Sequence, residues 1–203
     1  MTVTLELTDE ELFRRMREGD EEAFVALYRR RQRGIFRYVL QMSGSDSVAE
    51  DVAQEVFMVL MRDTVGFDAS RGSLSSYLYG IARNLTLRRL EKNRVFVALE
   101  DENGGGAITE LASDSDPHWD MARTETVELV RQAVRMLPEH YREAVVLCDL
   151  HEMSYQEAAD VLGCAVGTVR SRLHRGRSIL VDRLRDAGPA PAPKSALIKG
   201  CFA

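Results

Sequence analysis

Residues Glu100 to Glu128 offer little with which to build a hydrophobic core. They hold nine acids against one base, Arg123, a local charge of −8, and include the run Gly104-Gly105-Gly106 with no long apolar face. A segment so charged and so poor in apolar side chains does not bury enough surface to offset the entropy of ordering it. The 203-residue chain is therefore read as two small domains on either side of a flexible acidic linker, not as one globule. The triple glycine is not a phosphate loop, because no Gly-Lys-Ser/Thr follows and its surroundings are acidic.

Both flanks read as helix throughout, because apolar residues recur at helical spacing and strand-like alternation is absent. In the first flank Thr8 and Glu11 form a capping box for a short helix that Gly19 ends. A second helix runs from about Asp20 to Met42, with Phe24, Leu27, Tyr28, Ile35, Tyr38 and Val39 inward. Ser47 and Glu50 cap a third, to about Arg62, with Val52, Val56, Val59 and Leu60 inward. After the loop Gly66–Gly72, Ser73 caps a fourth that repeats Leu74, Tyr77, Leu78, Ile81, Ala82 and Leu85. The second flank begins near Met121, restarts at Pro138, and is stopped by Pro189, Pro191 and Pro193. The resulting division is 8–96, linker 97–120, 121–187, and a disordered tail 188–203.

Ser154 to Arg177 carries the strongest local signal. Ser154 and Glu157 form a capping box, Ala158, Ala159, Val161 and Leu162 give a small apolar face, and Gly163 supplies a left-handed terminus. A second helix from Val166 keeps Val169 and Leu173 on one side and projects Thr168, Arg170, Ser171, Arg172, His174, Arg175 and Arg177 from the others. This is the layout of a helix-turn-helix whose second helix enters a DNA major groove. Between Val166 and Arg185 six arginines oppose one acid, Asp182, in a chain whose net charge is −5. Arginine suits bidentate contact with guanine edges and phosphates. A second cationic run, Arg83, Arg88, Arg89, Lys92 and Arg94 against Glu91 alone, lies beside Tyr77, Tyr79 and Asn84. Cations that track phosphates beside aromatics that stack on bases suit single-stranded nucleic acid.

Several classes are excluded. No run of about 18 apolar residues could cross a membrane, and the acidic N-terminus lacks a signal-peptide core, so a cytoplasmic protein is expected. Cys148, Cys164 and Cys201 have no metal-ligand spacing; the first two read as small buried hydrophobes. His118, His140, His151 and His174 are scattered, and neither a nucleophile-base constellation nor a metal site is visible, so no enzyme and no cofactor is expected.

Four ordered segments resemble the extracytoplasmic-function (ECF) group of bacterial sigma-70 factors. They are Ala49-Glu50-Asp51-Val52-Ala53-Gln54-Glu55-Val56-Phe57, Tyr77-Leu78-Tyr79-Gly80-Ile81-Ala82-Arg83-Asn84, Leu137-Pro138-Glu139-His140-Tyr141-Arg142-Glu143, and Gly167 to Arg177. The resemblance spans roughly residues 10 to 186. It implies an all-α protein of two helical domains, sigma region 2 and sigma region 4, whose function is to bind core RNA polymerase and direct promoter-specific initiation. It implies that Glu50, Asp51, Gln54, Glu55, Phe57 and Met58 meet the polymerase clamp helices, with the polymerase flap as the other docking point. Tyr77, Tyr79, Arg83, Asn84, Arg88 and Arg89 are implied to recognise and melt the −10 element, helped by the loop from Phe67 to Ser75. Thr168, Arg170, Ser171, Arg172, His174 and Arg175 are implied to read the −35 element. Tyr77 stands where the family usually has tryptophan, and either a core anchor or a base contact fits it. The linker is implied to thread the polymerase cleft, its acids resembling RNA in charge, and an anti-sigma factor is implied as a partner. The competing reading is a stand-alone helix-turn-helix regulator, which leaves Ala49–Phe57 and Tyr77–Asn84 unexplained.

Overall fold

A computed structural model describes residues 7–62, 66–101 and 121–187, with the backbone alone for 93–101, 121–126 and 186–187. Eight α-helices and no strand occur among these residues. The chain separates into two compact units, the first built on α1–α4 and the second on α5–α8.

In the first unit, α1 (Asp9–Arg17) is capped by Thr8, whose hydroxyl accepts the Glu11 N–H at 3.2 Å. Only half of the expected capping box forms there. The Glu11 carboxylate instead takes two hydrogen bonds from Arg14, one turn on, at 2.7 and 3.0 Å. Two acids then fasten α1. Buried Asp9 accepts from Arg30 at 2.9 Å and from Arg31, both on α2 (Glu21–Ser43). Glu10 accepts the Leu74 N–H at 3.1 Å, satisfying a free donor at the start of α4 (Leu74–Asp101). Asp20 caps α2 through the Ala23 N–H at 3.1 Å.

Helix α3 (Asp46–Arg62) begins before Ser47, which is therefore inside the first turn and not its cap. Ala49, Val52, Val56, Phe57 and Leu60 form its buried stripe. This packs on α4, where Leu74, Leu78, Tyr79, Ala82 and Thr86 face inward. Thr86 lies in the apolar stripe because its hydroxyl donates back to the Ala82 carbonyl at 2.7 Å. A short 3₁₀ turn, Ala69–Arg71, precedes α4 and is capped by Asp68. Helix α4 continues to Asp101, past the boundary expected at residue 96. The rest of the linker and the tail lie outside the described residues.

The second unit comprises α5 (Met121–Arg135), α6 (Glu139–Val145), a π-helical turn (Val146–Leu150), α7 (Tyr155–Leu162) and α8 (Val166–Ala187). Arg142 donates to the Leu137 carbonyl at 3.0 Å and to that of Arg135. It thereby satisfies acceptors that the end of α5 leaves open, a physical role for the arginine of the Leu137–Glu143 segment. Both parts of the Ser154–Glu157 capping box are present, and Gly163 closes α7 at φ +62°. Helix α8 crosses α6 closely at Gly176, where a Cβ would stand 2.8 Å from Val145 Cγ2 and 3.4 Å from the Tyr141 carbonyl oxygen.

Candidate nucleic-acid and protein interfaces

Helix α8 owes its orientation to three apolar residues. Val169, Leu173 and Leu180 are at most 4% exposed and hold one side against the unit's core. The opposite side presents Arg170, Ser171, His174 and Arg175, all exposed, with Thr168 and Arg172 half-buried at its edges. All six residues expected to read DNA thus lie on or beside one accessible face. Ser171 donates to the Thr168 carbonyl at 2.9 Å, and the Arg170 guanidinium stands 5.7 Å from the Tyr155 ring centroid, within cation–π range. Ser178, exposed one turn beyond His174, extends the face; its four-residue spacing is the signal that sequence reading passed over.

Arg177 behaves differently from its neighbours. Its Nε and Nη2 donate to both oxygens of Asp149 at 3.1 and 2.5 Å, and the Asp149 side chain is only 10% exposed. Hydrogen bonding to that carboxylate raises the Arg177 pKa above its ordinary value. Asp149 lies in the π turn that follows α6. Arg177 is therefore an anchor of the helix, with its charge already balanced.

On α4, Tyr77, Asn84 and Arg88 fall on one helical stripe, the last two exposed. Arg83 is half-buried beside them. Half-buried Tyr77 lies 5.6 Å from the Phe67 ring, which in turn meets Phe13 edge-on at 5.4 Å. It thus ties the loop before α4 to α1, as an anchor would. Tyr79 is not on this face. It is 6% exposed, packs edge-on against Tyr38 at 5.5 Å, and points its hydroxyl at Gly34, where a Cβ would be 2.9 Å away. Burial pushes its phenol up to about 12. The expected base contact by Tyr79 gives way to a core role, because Leu78, Tyr79 and Ala82 widen one inward stripe. Arg89 is also engaged, donating to Asp51 at 2.7 Å and Glu55 at 3.0 Å.

The acidic face of α3 contains exposed Glu50, Asp51, Gln54 and Met58, with Glu55 half-exposed. Phe57 does not belong to it. At 2% exposure it packs edge-on against Tyr28, ring centroids 4.8 Å apart, beside Val56 in the stripe that binds α3 to the unit. Met61, 49% exposed, takes its place. It follows Gln54 by seven residues and Met58 by three, so periodicity alone could have found it. The face is acidic at its start and apolar at its end.

Among the described residues no cluster of histidine, cysteine or acid is arranged to hold a metal. No helix there is long and apolar enough to cross a membrane. Cys148 and Cys164 are half-buried free thiols, not fully buried ones; burial, aided by Asp149, pushes Cys148 up to about 11. Cys201 lies outside the described residues.

Comparison with known proteins agrees with this layout. The family model for sigma-70 region 2 matches residues 27–95, and that for sigma-70 region 4 matches residues 128–180. The chain is similar to the ECF RNA polymerase sigma factor SigW of Bacillus subtilis (strain 168). They are 31% identical over 187 residues, covering 90% of this chain and all of that one. It is also similar to the ECF RNA polymerase sigma-E factor of Escherichia coli (strain K12), at 34% identity over 190 residues, 89% of this chain and 96% of that one. Among solved structures it resembles the sigma factor RpoE crystallised with the anti-sigma factor NepR from Bartonella quintana. The TM-score is 0.61 at 25% identity, over 76% of this chain and 91% of that one. CnrH, solved with the cytosolic domain of CnrY, shares the fold with a TM-score of 0.65 at 24% identity, over 89% of this chain and 99% of that one.

Proposed function

The chain belongs to the ECF group of the sigma-70 family, and from that membership we propose how its separate faces divide the work of starting transcription. It is a sigma factor: it binds core RNA polymerase and directs the enzyme to promoters. Catalysis belongs to the polymerase, and the factor contributes recognition and strand opening.

Residues 121–187 act as region 4. The exposed face of α8 enters the major groove at the −35 element, where Arg170, Arg172 and Arg175 supply bidentate or phosphate contacts and Thr168, Ser171 and His174 supply shorter polar ones. Residues 8–96, with the remainder of α4, act as region 2. Asn84, Arg83 and Arg88 line the path of the melted −10 strand, and Tyr77 fixes the loop beside it. Glu50, Asp51, Gln54, Glu55, Met58 and Met61 form the face for the clamp helices. The acidic stretch 102–120 joins the two regions through the polymerase, and an anti-sigma factor, of the kind bound by the RpoE structure above, holds the free chain inactive in the cytoplasm.

The observation that carries this reading is the separation of faces. A cationic face on α8 and another on α4 accompany an acidic-apolar face on α3, which a stand-alone regulator does not need. The test is run-off transcription with core polymerase and a promoter carrying both elements. Transcript should appear only when this chain joins core. Replacing Arg172 and Arg175 by alanine should lower it about 10-fold or more, since each lost base contact costs roughly 1–3 kcal/mol, while pull-down of core stays near wild type. Tight operator binding with no polymerase-dependent transcript would favour the stand-alone regulator.

A further inference from the structure

Arg89 stands where two of these faces meet. Its Nη1 donates to Asp51 at 2.7 Å and its Nη2 to Glu55 at 3.0 Å. The two acids are one turn apart on α3, so one guanidinium from α4 spans both. Hydrogen bonding first to Asp51 and then to Glu55 raises the Arg89 pKa, so the cation stays charged throughout. Two carboxylates around one cation leave a cluster of charge −1, which repels a phosphate. All three side chains remain open to water, at 36% exposure for Arg89, 59% for Asp51 and 40% for Glu55. Exchange of partners is therefore cheap, because exposed ion pairs are weak.

We propose that Arg89 couples polymerase binding to strand binding: in the free chain it neutralises Asp51 and Glu55, and when polymerase cations take over those carboxylates the guanidinium is released to a phosphate of the melted strand. This rests on the assignment of α3 to polymerase and α4 to DNA. Because the two ligands compete for opposite ends of one ion-pair cluster, each strengthens the other's binding by the same factor. The free chain is thereby kept from engaging single strands before polymerase arrives.

The test uses the full chain. Arg89→Gln should bind core about two- to five-fold more tightly than wild type, the range an exposed ion pair supplies, because Asp51 and Glu55 lose a competitor. Removing a cation from the edge of this acidic face would thus improve a protein contact. In the reverse direction, the doubly substituted Asp51→Asn, Glu55→Gln chain without polymerase should bind a fluorescent single-stranded −10 oligonucleotide more tightly. The slope of log affinity against log salt should steepen by about 0.7, the value for one more phosphate contact on a single strand. Adding Arg89→Gln to that chain should remove the gain. Weaker or unchanged core binding by Arg89→Gln would overturn the coupling, as would an unchanged salt slope in the double variant. Either result with a wild-type chain that still supports run-off transcription leaves the sigma assignment standing; a wild type that binds neither core nor oligonucleotide sinks the assignment itself. The slope measurement also stands alone if Arg89→Gln fails to fold.

Discussion

Tyr79 and Tyr77 are two residues apart, yet one is enclosed and the other lies at a surface loop, and the enclosed phenol has a consequence for pH. Tyr79 titrates near 12, against 10.0 for an unperturbed tyrosine, because burial penalises its anion. Below pH 10 both folded and unfolded chains keep the proton and no dependence arises. Between pH 10 and 12 the unfolded chain loses it while the folded chain holds it, so stability falls as pH rises. The loss is about 2 kcal/mol over that window. Urea unfolding at pH 9 and pH 11.5 should show a smaller loss for Tyr79→Phe than for wild type; equal losses would place the phenol in water. Gly176 makes a steric counterpart. A methyl there meets stiff, fully buried Val145 on one side and the Tyr141 backbone on another, and neither can retreat cheaply. Overpacking of this kind costs about 1–3 kcal/mol, against a gain of about 1 kcal/mol in helix propensity. Gly176→Ala should therefore lower the denaturation midpoint, while Gly167→Ala, with nothing within 4 Å, should raise it.

Helix α8 shows how an element distributes similar side chains among different tasks. Its arginines look alike in sequence, but Arg175 is exposed whereas Arg177 is held by Asp149. Each phosphate neutralised on duplex DNA contributes about 0.9 to the salt slope of binding. Arg175→Ala should flatten that slope by about one unit on a −35 duplex. Arg177→Ala should change it little and instead lower thermal stability; a one-unit flattening by Arg177→Ala would mean that the guanidinium leaves Asp149 for DNA. Sequence reading recovered this element well, because the Ser154–Glu157 box, Gly163 and the Val169/Leu173 pair are local signals with local causes. It missed the pairing with Asp149, 28 positions away, and that of Arg89 with α3, because no periodicity encodes which charge meets which across a fold. The π turn was missed for a similar reason: Val146–Leu150 is apolar except for Asp149, and either helical hydrogen-bond pattern fits it. Phe57 and Tyr79 were misplaced although the signal was present. Each neighbours a core residue on a stripe wider than one side chain, and motif membership outweighed that width.

At the scale of the molecule, a net charge of −5 is compatible with the two proposed DNA faces because the charges are segregated along the chain. The greatest concentration of acid runs from Glu100 to Glu128, across the end of α4, the stretch 102–120 and the start of α5. Acids there can act on polymerase without touching the faces proposed to read DNA, so the two kinds of binding should respond separately to their removal. Replacing Asp114, Asp116 and Asp120 by asparagine takes away three negative charges without altering α3, α4 or α8. If the segment is drawn to a basic channel, association with core should slow at low ionic strength, where steering operates, and converge with wild type at about 1 M salt, where screening extends only about 3 Å. Binding of the free chain to a −35 duplex should meanwhile stay the same or tighten slightly, because less negative charge opposes the approach of DNA. Stopped-flow association with core at 50 mM and 1 M salt, beside duplex titrations of the same protein, separates the two effects. Equal association rates at low salt would reduce the linker to a soluble tether, and its charge would then serve the chain and not the polymerase.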